Sequence, residues 1–305
     1  MSRASLRVCA CLAALLAAST GPCPAGEIPG ETESAPRPAG TLLSGLGDRS
    51  GLEEQSDWQD FRRTGRAIWF HATHPTLKEG LGYAGLTLAA LYLEHNKLAL
   101  AGEIQEDRTS SADAVSSRFR PLGEAIVPVA AFATWAVGRL SGSERTRRAG
   151  LILSESAVFT ALATEVGQFV FSEQRPADGG RLSFFSYGGH GISGHTSIIA
   201  SVAVPLDRLF FRVKPGDNGW MKAAKFLGKG TVYAAPVITG WSRINDDKHY
   251  AWNVVLGLGM GYTVGRFVSE AHGLDGDGPG ERNWSLVPIT DGRGAPGLGV
   301  RWSLR

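Results

Sequence analysis

From Asp57 onward the chain alternates long apolar stretches with charged or glycine-rich breaks. The segment WQDFRRTGRAIWF has the spacing of an amphipathic helix, and apolar segments follow centred near residues 87, 131, 160, 201, 236 and 258, each long enough for a helix. The pattern predicts an all-α bundle of about six core helices. Toward the end the period changes: Trp284 and Leu286 alternate with polar residues, and Leu298, Val300, Trp302 and Leu304 do so again after the turn-like TDGRGAPG. That period of two predicts a short C-terminal β-hairpin over 282–305, joined to a helical domain at 57–272 by a linker at 273–281. The linker contains DGDGPGE, which has neither the ligand set nor the spacing of a calcium loop and reads as solvated.

The apolar segments are short for a bilayer. Their charge-free lengths are 14 residues (Gly80 to Leu93), 14 (Ala125 to Gly138), 13 (Gly230 to Ser242) and 17 (His249 to Gly265), where a full crossing takes roughly 20. The segment near 160 also carries Glu155 and Glu165. The expectation is a bundle outside the bilayer, with a tilted or shallow membrane domain as the alternative.

The first 25 residues read as a secretory signal: Arg3 and Arg7, an apolar run from Val8, then small residues ending at Ala25. Residues 26–56, rich in Pro, Gly, Ser and acidic side chains, read as a flexible leader. The expected location is therefore exported, either periplasmic or membrane-associated. All three cysteines lie within the signal, so the processed chain would have no thiol. Removing Arg3 and Arg7 takes Lys+Arg from 31 to 29 against 29 acidic residues, a balance with no basic surplus for nucleic acid.

Candidate chemistry sits at the boundaries of the apolar segments. In GWSRINDDKHYAWNVV, Arg243 is a planar cation suited to phosphate or carboxylate, and Asn253, four residues after His249, would share a helix face with it and hydrogen-bond its ring. In QFVFSEQRP, Gln168 and Arg175 are seven residues apart, which puts them on one helix face, with Pro176 ending the helix. In GGHGISGHTS the glycines allow close backbone approach to a ligand, and Ser193, Gly194 and His195 open the next helix as an anion site. His190 in that loop is expected to face solvent or line the entrance. His71 and His74 in FHATHP have no carboxylate at ligand spacing and read as a surface loop rather than a metal site.

Taken together, QFVFSEQRP, ISGH and SRINDDKHYAWN resemble the motif set of the type 2 phosphatidic acid phosphatase and vanadium haloperoxidase superfamily, KxxxxxxRP, PSGH and SRxxxxxHxxxD, with the spacing within each motif kept. The resemblance covers about Asp57 to His272. Gln168 stands where the pattern has lysine, Ile192 where it has proline, and Asn253 where it has aspartate. It implies a helical bundle with the site at one end and metal-independent, cofactor-free hydrolysis of a phosphate ester, lipid or soluble. In that scheme His249 is the nucleophile, His195 the acid and base, and Asn253 the partner of the nucleophile. Gln168, Arg175, Ser193, Gly194 and Arg243 bind the phosphate. The two polar departures remove a phosphate-binding cation and the charge behind the nucleophile, so weakened activity is expected. The alternatives are a vanadate-dependent haloperoxidase using the same pocket and a phosphate-binding homologue without turnover. Oligomeric state is not legible.

Overall fold

A computed structural model describes residues 57–274 together with strands at 284–290 and 296–302. The expected signal, leader and most of the linker lie outside the described residues.

The chain is a helical bundle. Helix α1 spans Asp57–Thr73, α2 Leu77–His95, α3 Lys97–Glu106 and α4 Ser110–Pro121, followed by a π-helical turn at Leu122–Ile126 that runs into α5, Val127–Ser141. Helix α6 is Glu144–Val170. A small antiparallel pair, β1 Phe171–Glu173 and β2 Leu182–Phe184, precedes α7 at Gly194–Leu206, α8 at Gly219–Asn245 and α9 at Ala251–Ala271. Strands β3, Trp284–Thr290, and β4, Pro296–Trp302, form the expected hairpin, with Trp284 opposite Trp302. Each of the six apolar segments is a helix, α2 and α5 to α9. The stretch read as a charged break between the first two contains two further helices, α3 and α4.

The packing that positions the site is that of α7 on α9. Gly257, Gly261 and Gly265 recur at one-turn spacing on α9, and a Cβ on any of them would meet the carbonyl of Ser193, Ser197 or Ser201 on α7 within 2.8 Å. Small residues on both helices therefore let the backbones touch, which fixes the first turn of α7 beside the start of α9. Val254, Val255, Leu258 and Trp252 complete the core on the remaining faces of α9.

The two helices that the pattern missed act as braces. Gln105 of α3 donates to the carbonyls of Ile244 (3.4 Å) and Asn245 (3.3 Å), closing the C-terminus of α8. From α4, Asp113 accepts from Asn245 Nδ2 (2.9 Å), and Ser116 donates to Asp246 (2.6 Å).

Glu155, a charge inside an apolar segment, is buried against His272 at 2.7 Å. His71 does not lie in a loop as the sequence suggested. The helix runs past it to Thr73, and its ring stacks on Phe267 at 4.6 Å, leaving only His74 in the exposed turn.

Apolar residues also cover much of the outside. Leu81, Leu88 and Leu91 on α2, Val129, Phe132 and Leu140 on α5, Leu162 and Val166 on α6, and Phe226 and Leu227 on α8 are all exposed. Two stretches, Ser110–Ser141 and Glu144–Val170, are long and apolar enough to cross a membrane, the second largely buried inside the bundle.

Candidate active site

The motif residues meet at one end of the bundle. Arg243 sits in the last turn of α8, one helix-end from His249 in the turn that leads to α9. That turn is tight: Lys248 and His249 both donate their backbone N–H to the Arg243 carbonyl (3.0 and 3.2 Å), and Asp247 adopts φ 56°. His195 lies in the first turn of α7, whose N-cap is Ser193. The first backbone bond of that helix is Ser197 N to Ser193 O at 3.0 Å, so the N–H groups of Gly194, His195 and Thr196 head the helix toward the site. The π-helical turn fits beneath it because Gly123 has no Cβ; one there would lie 2.7 Å from His195 Cα.

Two placements differ from the sequence reading. Gln168 and Arg175 do not share a helix, because α6 ends at Val170 and the chain continues as β1. Phe171 then packs on Trp252 and Phe184, and this aromatic anchoring draws the segment off the helix before Pro176 is reached. Arg175 instead caps a single 3₁₀ turn at Pro176–Asp178 with extended backbone. Gln168 Nε2 donates to the Ile192 carbonyl (2.8 Å), clamping the loop rather than presenting a cation. Ile192, where the motif has proline, is buried against Gly167, leaving no room for a side chain at that glycine.

His249 and Asn253 do not share a helix either. α9 begins at Ala251, so His249 precedes it. The expected bond between them is replaced by two others. His249 Nδ1 lies 3.1 Å from the His190 carbonyl, and since a carbonyl can only accept, Nδ1 carries the proton and Nε2 keeps its lone pair. Asn253 turns away: Oδ1 accepts from Tyr250 N (2.8 Å), and Nδ2 donates to Gly191 O (2.7 Å) and to Glu173 Oε2 (3.0 Å).

The electrostatics are predominantly positive, with Asp246 and Glu124 opposing. Arg243 is 5% exposed, and its Nε and Nη1, with Arg175 Nε, have no hydrogen-bond partner among the described residues. Burial above all, with Arg120 and Arg175 adding positive charge, lowers the proton affinity of Arg243, while Asp246 and Glu124 oppose this. His195 is pulled below the usual histidine range by burial and then Arg243, and upward by Glu124, whose Oε1 lies 3.3 Å from its Nε2. His190, half-buried with its ring 6.5 Å from that of His249, is lowered by burial and Arg175. His249, 7% exposed, is pushed down to about 3 by burial, then by Arg243, His190 and His195. The result is a cluster of buried donors, Arg243 Nε and Nη1 and Arg175 Nε, beside a neutral imidazole whose Nε2 carries no proton.

Sequence patterning did not single out Glu124, Glu173 or Lys97. Glu173 lies inside QFVFSEQRP between the polar residues Ser172 and Gln174, so nothing local marked it as a buried charge. Among the described residues no group of three His, Cys, Asp or Glu side chains is arranged to hold a metal ion.

A comparison with family models matches residues 149–275 to the PAP2 superfamily. No curated protein and no solved structure matches the chain.

The neutral state of His249 has a consequence for stability. Its folded pKa lies below the ordinary 6.5, so the unfolded chain takes up the proton first as pH falls, and stability from this group is full above 6.5 and lost between 6.5 and about 3. In phosphate-free buffer, denaturant unfolding of the wild type should lose up to about 1.4 kcal/mol per pH unit more than His249→Gln across that window. Parallel profiles would show that His249 is not held neutral.

Proposed function

We propose, for a chain that belongs to the PAP2 superfamily, that it hydrolyses a phosphate ester through a phosphohistidine on His249. Superfamily membership supports phosphatase or related phosphoesterase chemistry. The observation that carries the finer reading is the set of buried, unpartnered guanidinium N–H groups of Arg175 and Arg243 beside a histidine whose Nε2 is unprotonated. A buried donor without a partner costs free energy, and a phosphoryl group supplies three acceptor oxygens to satisfy such donors.

The steps follow from the groups present. His249 Nε2 attacks phosphorus, forming the N–P bond as the P–O bond to the leaving group breaks. His195 gives its proton to the departing alkoxide. Glu124 and the incoming phosphate charge both favour the protonated form that this needs. His195 then removes a proton from water, whose oxygen attacks the phosphohistidine and releases phosphate, restoring both histidines. Arg175, Arg243 and the Gly194 N–H neutralise charge on the equatorial oxygens, the largest contribution in reactions of this kind. We assign Ser193, whose Oγ lies 2.9 Å from Thr196 Oγ1 at the head of the same helix, to this group as well.

The location we propose is membrane-associated, on the exported side. Many large apolar side chains of α2, α5, α6 and α8 are exposed, two stretches are long and apolar enough to cross a membrane, and the N-terminal segment is signal-like. A lipid phosphate substrate fits this setting, and soluble esters share the same phosphoryl chemistry.

Two measurements test this reading. Purified protein should release phosphate from a lipid or soluble monoester in the presence of chelator, vanadate should inhibit it, and His249→Ala should lower turnover by at least about a thousandfold while the protein stays folded. Vanadate binding with no phosphate release from any ester would leave a silent binder in place of an enzyme. In expressing cells the protein should remain with the membrane pellet after an alkaline carbonate wash, and recovery in the supernatant would contradict the proposed location.

A further inference from the structure

The aspartate-to-asparagine change four residues after the nucleophile looks like a loss when the motif is read alone. Its surroundings say otherwise. Asn253 is 1% exposed and faces three backbone or side-chain groups: one donor, Tyr250 N, and two acceptors, Gly191 O and Glu173 Oε2. Only a side chain with one acceptor and two donors satisfies all three, and among residues of this size that is an amide. An aspartate here would set its second oxygen against the Gly191 carbonyl and the Glu173 carboxylate, a like-charge contact of about 3 Å in a buried site.

Glu173 is itself 1% exposed. Its Oε1 accepts from Lys97 Nζ at 2.6 Å, and Lys97 also donates to Gly180 O at 3.3 Å. Burial pushes the Glu173 carboxyl up, and the hydrogen bonds from Lys97 and Asn253 pull it back toward ionisation. The same residue holds the loop a second time through its backbone, because His190 N donates to Glu173 O at 2.7 Å. The carbonyl of the same residue, His190 O, accepts the Nδ1 proton of His249. Lys97 and Glu173 are thus a carboxylate and a cation adjoining the site, in a chain that lacks the motif's carboxylate at 253 and its lysine at 168.

Resting on the phosphatase reading of this site, we propose that buried Glu173, with the half-buried Lys97 (shared with Glu94) as its counter-charge, positions the nucleophile: the carboxylate behind position 253 has moved to position 173, it dictates an amide at 253, and together they hold the 190–193 loop whose carbonyl fixes the tautomer of His249. Glu173 touches neither substrate nor the reacting nitrogen, and it acts through Asn253 and the loop.

The test is a charge-exchange cycle on the full-length protein. Asn253→Asp alone should lower kcat about 10- to 100-fold, as losses of groups that orient a functional histidine do, with KM changed less than about threefold. Glu173→Gln alone should also lower kcat. In the double variant a glutamine at 173 can accept from Lys97 and donate to an aspartate at 253, so activity should recover to within several-fold of the wild type, the shortfall reflecting the unpaired Gly191 carbonyl. Nitrogen-15 NMR of the His249 ring supplies a readout independent of turnover: Nδ1 protonated in the wild type and the double variant, mixed tautomers in Asn253→Asp. An Asn253→Asp protein as fast as the wild type, or a double variant no better than Asn253→Asp, overturns the proposal. If the wild type hydrolyses no ester, the phosphatase reading falls instead, and the ring tautomers and vanadate affinity across the same four proteins still decide whether the pair positions His249.

Discussion

The constraint that organises this molecule is a buried positive charge on Arg243, opposed at a distance by Asp246 and Glu124 but without a direct hydrogen-bond partner at Nε and Nη1 among the described residues. Arg243 lies at the end of a long apolar helix with two of its N–H groups unpartnered, and Arg175 adds a third from a separate strand-and-turn segment. Such an arrangement is unfavourable unless the surrounding fold is over-determined. The bundle supplies that determination. The glycine stripe of α9 locks the start of α7 in place, α3 and α4 close the carbonyls and side chains after Arg243, and Gln168 clamps the loop at Ile192. Each contact holds a cation or a helix N-terminus that would otherwise relax away from its neighbour.

The same burial sets the nucleophile. A histidine surrounded by arginine and two other histidines stays neutral, so there is no proton to remove before attack, and what remains is to keep its one proton on the correct nitrogen. Here a backbone carbonyl does that work. A carbonyl does not stabilise the imidazolium-like character that develops on phosphorylation as strongly as a carboxylate would, and the buried carboxylate of Glu173 is separated from His249 by Asn253 and the loop. Strong cationic binding of the phosphoryl group, paired with a partner of modest strength behind the nucleophile, is the balance this site strikes.

Much of this was legible in the sequence because it depends on local pattern. The six apolar segments became helices, the period-two tail became a hairpin, and the glycine-rich loop before His195 opened a helix with Ser193 as its cap. What was hidden depends on tertiary contact. Helix α3, KLALAGEIQE, is short and follows α2 after a single residue, and α4, SSADAVSSRFRP, is mostly polar, so neither stood out as an apolar segment; both fold against the end of α8. Helical spacing placed Gln168 with Arg175 and His249 with Asn253, but aromatic packing on Trp252 turned the first segment into a strand, and α9 starts too late to include His249. The partner of His249 is a main-chain atom 59 residues away, and Lys97 and Glu173 are 76 apart, so no motif could have joined them.

Because the site is held together against the cost of its own charge, the most direct measurement is the thermal stability of wild type and Arg243→Met with and without inorganic phosphate. Met matches the apolar stem of arginine without the guanidinium. If unpaired cations dominate, phosphate raises the Tm of the wild type by several degrees, the variant without ligand is at least as stable as the wild type, and phosphate raises the variant's Tm markedly less. A variant that melts well below the wild type, or a wild-type protein indifferent to phosphate, would mean that Arg243 is structural and that the site is not built around an anion.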